Sequence, residues 1–309
     1  MKHIFYKCSL STMSLGTWFI ATRPWSLVMT FVATCLAGIM AYAYGSFDVI
    51  LFILTMIGLM IAHTAANMAN DWYDVKNGVD ENAPTAQYRP HPLLFGQVNK
   101  KTYKMVVYGL YAVGLSIALY LTWLQGYPVM VFSILGVLFG VFYTADPIKL
   151  KYHSVGEIAV FLAFGPLMVG GAFYAITGVF SWDPMLASIP IGLLVALVLL
   201  ANNIRDKDFD ARVGISTIAI DEHETRGMNY YKALLALAYI STPILIYVGV
   251  FSPFVLITFL TIKEALSIVK EFSVKVPLTS DQQTAQLALH FGVLLILGEL
   301  LNVLYLLYF

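Results

Sequence analysis

Charge is what this sequence has least of. Of its 309 residues only 12% are Asp, Glu, Lys or Arg, while 59% are hydrophobic; a soluble domain carries about a quarter charged residues. The scarcity excludes an ordinary water-soluble enzyme. Net charge is zero, so there is no basic surface to argue for nucleic acid as a partner. Cysteine is nearly absent, and of the two present, Cys8 and Cys35, the second lies within an apolar run; no disulfide framework follows. The six histidines show no metal-ligand spacing. The first 24 residues are mixed in character and lack the apolar core and small-residue cleavage site of a signal peptide, so 1–24 reads as an N-terminal interfacial segment.

What the chain has in abundance is long apolar runs. A spanning helix needs roughly 20 apolar residues, and windows of that length predict nine spans, at 25–44, 49–70, 103–123, 129–144, 156–176, 184–203, 230–250, 253–273 and 288–309. With nine spans, all 18 basic residues fall on one side and the short connections opposite contain none. The positive-inside rule makes the charged side cytoplasmic, with the N-terminus inside and the C-terminus outside. The expected fold is all-α: one integral-membrane domain over 1–309, two four-helix groups plus a ninth helix around a central cavity, capped by long cytoplasmic loops.

Two polar stretches interrupt the apolar background. The first is Asn67-Met68-Ala69-Asn70-Asp71-Trp72-Tyr73-Asp74, the second Asn203-Ile204-Arg205-Asp206-Lys207-Asp208-Phe209-Asp210. Asn67, Asn70, Asp71 and Asp74 stand at i, i+3, i+4 and i+7, one stripe of a helix; Asn203, Asp206 and Asp210 repeat it, with Lys207 in the remaining slot. Carboxylates at a membrane boundary are costly and usually functional. Magnesium binds through few carboxylates plus substrate phosphates, so the pair of stripes predicts one divalent-metal site assembled from two halves of the chain. Lys76, Arg89, Lys149, Lys151 and Arg205, on the same expected side as the stripes, are candidates to neutralise a diphosphate. Asp80 is a further acidic candidate, and Tyr143, Trp72 and Tyr73 are aromatics near the expected metals. Glu157 opens a helix, where the dipole favours a carboxylate. His63 reads as a hydrogen-bonded interior residue, His91 as a loop residue, and Gly165-Pro166 as a kink. Glu299 is an intramembrane acid with no assigned role.

These residues resemble those of the UbiA superfamily of intramembrane prenyltransferases. The run from Asn70 through Asp74 to Asp80 is similar to that family's first aspartate motif and Asn203 to Asp210 to its second. Residues 143–151, 156–167 and 214–220, with the Asp74-to-Asp80 spacing, resemble the branch acting on 1,4-dihydroxy-2-naphthoate, and the likeness extends over about 23–309. The resemblance implies two magnesium ions held by Asn70, Asp74, Asp206 and Asp210 with Asp80 and Asn203 assisting. It implies diphosphate binding by Lys149 or Lys151, with Arg205 a further candidate. It also implies a polyprenyl diphosphate donor, an aromatic acceptor and catalysis by ionisation of the donor followed by attack of the ring. A hydroxyphenazine, glycerol-lipid or tetrapyrrole acceptor, and a secondary transporter, remain as alternatives.

Overall fold

A computed structural model describes residues 15–78, 91–220 and 225–308. The regular secondary structure of the described residues is entirely helical, with no strand among them. A short helix α1 (Leu15–Ala21) precedes α2 (Leu27–Ala43), α3 (Val49–Lys76), α4 (Lys100–Gln125) and α5 (Pro128–Phe142). Then come α6 (Gly156–Leu162), a π-wound segment at Ala163–Leu167, α7 (Met168–Thr177), the short α8 (Asp183–Ala187) and α9 (Ile189–Arg212). The chain ends with α10 (Arg226–Tyr247), a 3-10 segment at Pro253–Thr261, α11 (Ile262–Val274) and α12 (Ser280–Tyr308). Among the described residues six helices are long and apolar enough to cross a membrane: α3, α4, α6–α7, α9, α10 and α12. Two more, α2 and α5, are apolar but only 17 and 15 residues long.

Local chemistry explains where the helices begin. The Asp48 carboxylate accepts from the amides of Ile50 and Leu51 at 2.8 and 2.9 Å, capping α3, and Asn99 does the same for α4 through Lys101, satisfying amides that a helix start leaves unpaired. At Gly126 the chain takes φ +102°, a conformation open to glycine, and so turns directly from α4 into α5.

The helices close on one another as a ring. α3 packs on α2, α4, α5 and α7; α9 packs on α6, α10 and α12; α12 returns to α2. The largest apolar core joins α2, α7, α9, α10 and α12. Outside it the surface is itself apolar, with Trp123, Tyr127, Phe180 and Trp182 exposed around the ends of α4 and α7. Aromatics at that level suit a membrane–water interface.

The kink expected at Gly165-Pro166 is present. Gly165 has φ −90° and ψ −106°, and Pro166, which has no amide hydrogen, widens the helix by one residue per turn. The kink also lets α9 approach at backbone distance: a Cβ on Gly192 would stand 3.1 Å from Gly165 Cα.

The 253–273 window departs from a simple span. It is divided at Thr261 into the 3-10 segment and α11, which carries Lys263, Glu264 and Lys270. Its apolar half is stitched to α12. A Cβ on Gly298 would lie 2.7 Å from Val255 Cα, and Glu299 accepts a hydrogen bond from the Ser252 amide at 2.8 Å. That is the role the sequence left open for Glu299: it caps the segment from a neighbouring helix.

Candidate active site

Both polar motifs are helical to their ends, because α3 continues through Lys76 and α9 through Arg212. The four-residue stripe on α3 divides in two. At about 100° per residue, Asn67 and Asp71 fall on one flank and Asn70 and Asp74 on the other. Asn67 donates to Ser26 Oγ at 2.8 Å. Asp71 pairs with Arg23, accepts from the Tyr103 hydroxyl at 3.3 Å and lies 3.5 Å from His91 Nε2. This flank fastens the α1–α2 junction and the turn after residue 91 to the end of α3. Within that one stripe Asn67 and Asp71 take partners from neighbouring segments, while Asn70 and Asp74 lie on the other flank.

Asp74 is 1% exposed. It accepts from Lys151 Nζ at 2.5 Å and from the Tyr152 hydroxyl. Both donors sit on a 3-10 turn, Leu150–Tyr152, entered through Lys149 at φ +50°. A non-glycine residue in that region marks a strained position of a kind found at functional sites. The turn is held by the Lys151 amide donating to Tyr143 O at 2.7 Å and by the Ser216 amide donating to Tyr152 O at 3.2 Å. Tyr152 therefore ties Asp74 to the chain that follows the second motif. Lys149 points elsewhere, to Asp146 at 2.8 Å; that ammonium holds the exposed Asp146 carboxyl below the usual carboxylate range.

The second motif faces the first. Asp210 lies in the electrostatic field of Lys151, Asp206, Arg205 and Asp74, so acids separated by more than a hundred positions share one locality. Asp206, 6% exposed, accepts from Arg205 Nε at 2.8 Å and Nη2 at 2.7 Å. Arg205 also reaches Asp281 at 2.8 Å and Leu278 O at 3.0 Å, and contacts Asn202. In this structure it joins α9 to the start of α12. Asn203 donates to Glu157 Oε1 at 2.9 Å, so Glu157 is bound to the second motif as well as opening α6.

The remaining candidates spread outward. Tyr143 lies in the field of Glu157, Asp74 and Arg23. Lys76 folds over the rings of Trp72 and Tyr73, at 5.5 and 5.8 Å from their centroids. Asp80 and Arg89 lie outside the described residues.

Asn70 stands out by what it lacks. Its Oδ1 is buried with no hydrogen-bond partner among the described residues, one helical turn from Asp74. A buried amide oxygen without a donor is costly and is an oxygen ligand suited to a hard cation. No group of three or more His, Cys, Asp or Glu is close enough to hold an ion among the described residues. The carboxylates are meanwhile balanced by protein cations, Asp74 by Lys151 and Asp206 by Arg205.

The sequence matches the UbiA prenyltransferase family over residues 31–291. The chain belongs to that family. It is an integral-membrane family, which with the six apolar helices makes this chain a membrane protein. A 1,4-dihydroxy-2-naphthoate octaprenyltransferase of Bacillus subtilis (strain 168) is 28% identical, over 91% of each chain. A UbiA prenyltransferase domain-containing protein 1 homolog of Drosophila melanogaster is 30% identical over 93% of this chain and 80% of its own. Among solved structures, a UbiA homolog from Aeropyrum pernix K1 aligns with a TM-score of 0.71 at 17% identity, covering 90% of this chain and 98% of that one. A UbiA homolog from Archaeoglobus fulgidus, bound to DMAPP and Mg2+, aligns with a TM-score of 0.64 at 16% identity, over 91% of this chain and 99% of that one.

In this UbiA protein Tyr152 and Arg23 escaped the sequence reading. Tyr152 adjoins Lys151, yet only the 3-10 turn places two successive side chains on one carboxylate. Arg23, before Pro24, carried a signal as a helix boundary but none of its pairing with Asp71.

Proposed function

We propose that this protein transfers a polyprenyl group from an allylic prenyl diphosphate to an aromatic acceptor, 1,4-dihydroxy-2-naphthoate, in a magnesium-dependent reaction of quinone biosynthesis. The observation that carries the reading is the meeting of Asp74, Lys151 and Tyr152 with Asp210 and Asp206 beside the unpaired Asn70 oxygen. Asn70, Asp74, Asp206 and Asp210 would hold magnesium, two ions by the motif count. When bound, the metal supplies positive charge to the diphosphate leaving group. Asp80 and Asn203 assist, and Arg89 and Lys76 lend positive charge.

The chain's own residues do the rest. Lys151, paired here with Asp74, would bind the diphosphate, whereas Lys149 is held by Asp146. Arg205 keeps Asp206 oriented from behind. Tyr143 offers an aromatic face to the allylic cation. Apolar helices exclude water, which would quench that cation. The similarity to the Bacillus subtilis octaprenyltransferase supports the naphthoate acceptor, and the magnesium- and DMAPP-bound archaeal homolog supports metal and donor class. The nine-span topology around a central cavity, with the site, its loops and the N-terminus on the cytoplasmic side, belongs to the same proposal.

The test is a mass-spectrometric assay of purified protein with magnesium, geranylgeranyl diphosphate and 1,4-dihydroxy-2-naphthoate, with Asp74→Asn as control. A prenylated, decarboxylated naphthoquinol that is lost in the control is the expected result. Turnover only with a hydroxyphenazine or a glycerol lipid would keep the chemistry and replace the acceptor. No magnesium-dependent turnover from a folded protein would remove the reading and favour a transporter.

A further inference from the structure

A cavity of about 170 Å³ lies between α3, α4, α5 and the kinked α6–α7 helix. Ala66 and Gly140 line it, each about one helical turn from a site residue, Asn70 and Tyr143 respectively. Its walls are apolar except at a few side chains that the metal site does not use. The Tyr111 hydroxyl and the Thr55 hydroxyl both line it, and both are buried without a hydrogen-bond partner among the described residues. The third is His63.

The protonation of His63 follows from its neighbour. Thr30, fully buried on α2, places Oγ1 2.7 Å from His63 Nδ1. The Thr30 hydroxyl has no other acceptor among the described residues, so it donates to Nδ1, and the neutral imidazole carries its proton on Nε2. Phe164 meets the ring edge-to-face at 4.9 Å and holds its tilt. Thr30 on α2 occupies Nδ1, which leaves Nε2 as the ring nitrogen available to the cavity that His63 lines. Arg23 extends its field to His63, and no acidic side chain among the described residues lines the space.

We propose that this cavity seats the aromatic acceptor, and that His63 Nε2–H donates to an anionic oxygen on the ring, a carboxylate or a phenolate, with the Tyr111 hydroxyl serving a second oxygen. The inference rests on the prenyl-transfer reading above. A hydrocarbon tail would fill the same space but leave an N–H and two hydroxyls unpaired in a low dielectric. A ring bearing oxygens pairs them while its apolar body suits the walls, and an apolar cavity of about 150 Å³ is known to take a benzene ring. His63 stands about two helical turns, roughly 10 Å, before Asn70, so a ring held there by its oxygens extends towards the ionisation site, where orientation is worth most.

The full-length protein in lipid nanodiscs provides the test, with geranylgeranyl diphosphate, magnesium and 1,4-dihydroxy-2-naphthoate. Three quantities are read for each variant: diphosphate release without acceptor, KM for the donor, and KM for the acceptor. His63→Leu is expected to raise the acceptor KM about 10- to 100-fold, the loss of one charge-assisted hydrogen bond, with the other two quantities within about twofold. His63→Gln keeps an N–H donor and should recover to within about fivefold of wild type. Tyr111→Phe, which removes one oxygen and no volume, should raise the acceptor KM by about 3- to 10-fold. Repeating the series with 1,4-dihydroxynaphthalene separates the two oxygens. A His63→Leu penalty that persists assigns the contact to the phenolic oxygen, and one that vanishes assigns it to the carboxylate. An acceptor KM unchanged in His63→Leu would overturn the proposal. So would a shift in donor KM instead, which marks a tail pocket, or a parallel loss of diphosphate release, which marks a structural residue. If the wild type releases diphosphate but prenylates no aromatic ring, the functional reading fails and takes this inference with it.

Discussion

At the scale of single residues, the two lysines that the sequence could not separate are separated by a turn. Lys151 meets Asp74 at 2.5 Å and Lys149 meets Asp146 at 2.8 Å. Lys151→Met should therefore lower the rate of prenyl transfer by about 100-fold or more, the usual scale for a group stabilising a leaving anion, whereas Lys149→Met should cost less than about fivefold, since an exposed ion pair contributes little. Steady-state kinetics on both variants decides it, and equal losses would reject the assignment. Arg205 makes a different prediction. It is 3% exposed and joins Asp206 to Asp281, so Arg205→Met leaves two carboxylates without their cation. Breaking such a buried network costs on the order of 3 kcal/mol. Thermal unfolding in detergent should show a large drop for Arg205→Met, and a retained melting temperature would place Arg205 outside the structural framework.

At the scale of elements, glycine sets how closely helices approach. Gly298 sits where a Cβ would be 2.7 Å from Val255 Cα and 2.8 Å from its amide nitrogen. Those are backbone atoms and cannot swing aside, so Gly298→Ala should destabilise by about 1–3 kcal/mol through overpacking. Gly109, with nothing within 4 Å of its would-be Cβ, is the control: Gly109→Ala in a helix should be neutral or slightly stabilising. Denaturation of both variants measures the difference. The same reasoning explains why 253–273 does not read simply as a span. Its hydropathy is right for a membrane, but Glu299 binds the Ser252 amide from α12 and the chain winds as a 3-10 helix where it lies against that helix. A window average contains no term for a neighbour's carboxylate.

For the whole molecule, the two halves meet through Tyr152, whose hydroxyl holds Asp74 and whose carbonyl receives the Ser216 amide. The site exists only when both halves are folded against each other. Chelation with EDTA should abolish turnover and added magnesium should restore it. Magnesium with prenyl diphosphate should raise the melting temperature, since a ligand that binds only the folded state stabilises it, by about 2.7 kcal/mol at a hundredfold excess over Kd. An unchanged melt under those conditions would argue against a shared metal site. Sidedness can be read separately. Single cysteines at Ser46 and Val179 should react with an impermeant thiol reagent from one side of sealed vesicles, and cysteines at Asn99 and Val213 only from the other. Labelling of all four from one side would reject the proposed topology.

Much of this protein is determined by sequence alone, because the effects involved are local or additive. Apolar runs name the helices that can enter a membrane, and i, i+3, i+4, i+7 spacing brings Asn70 and Asp74, and Asp206 and Asp210, to the ends of two of them. Glycine followed by proline names the kink at Gly165. The tertiary structure decided what depends on partners distant in the chain. Asp71 is spent on Arg23 while Asp74 faces Lys151, Asn203 binds Glu157, and Glu299 caps a segment of another helix. His63 presents one nitrogen to Thr30 and the other to a cavity. Each of these is a polar group buried in a low dielectric, where it must find a partner wherever the fold supplies one, and one-dimensional spacing carries no record of which helix will stand alongside.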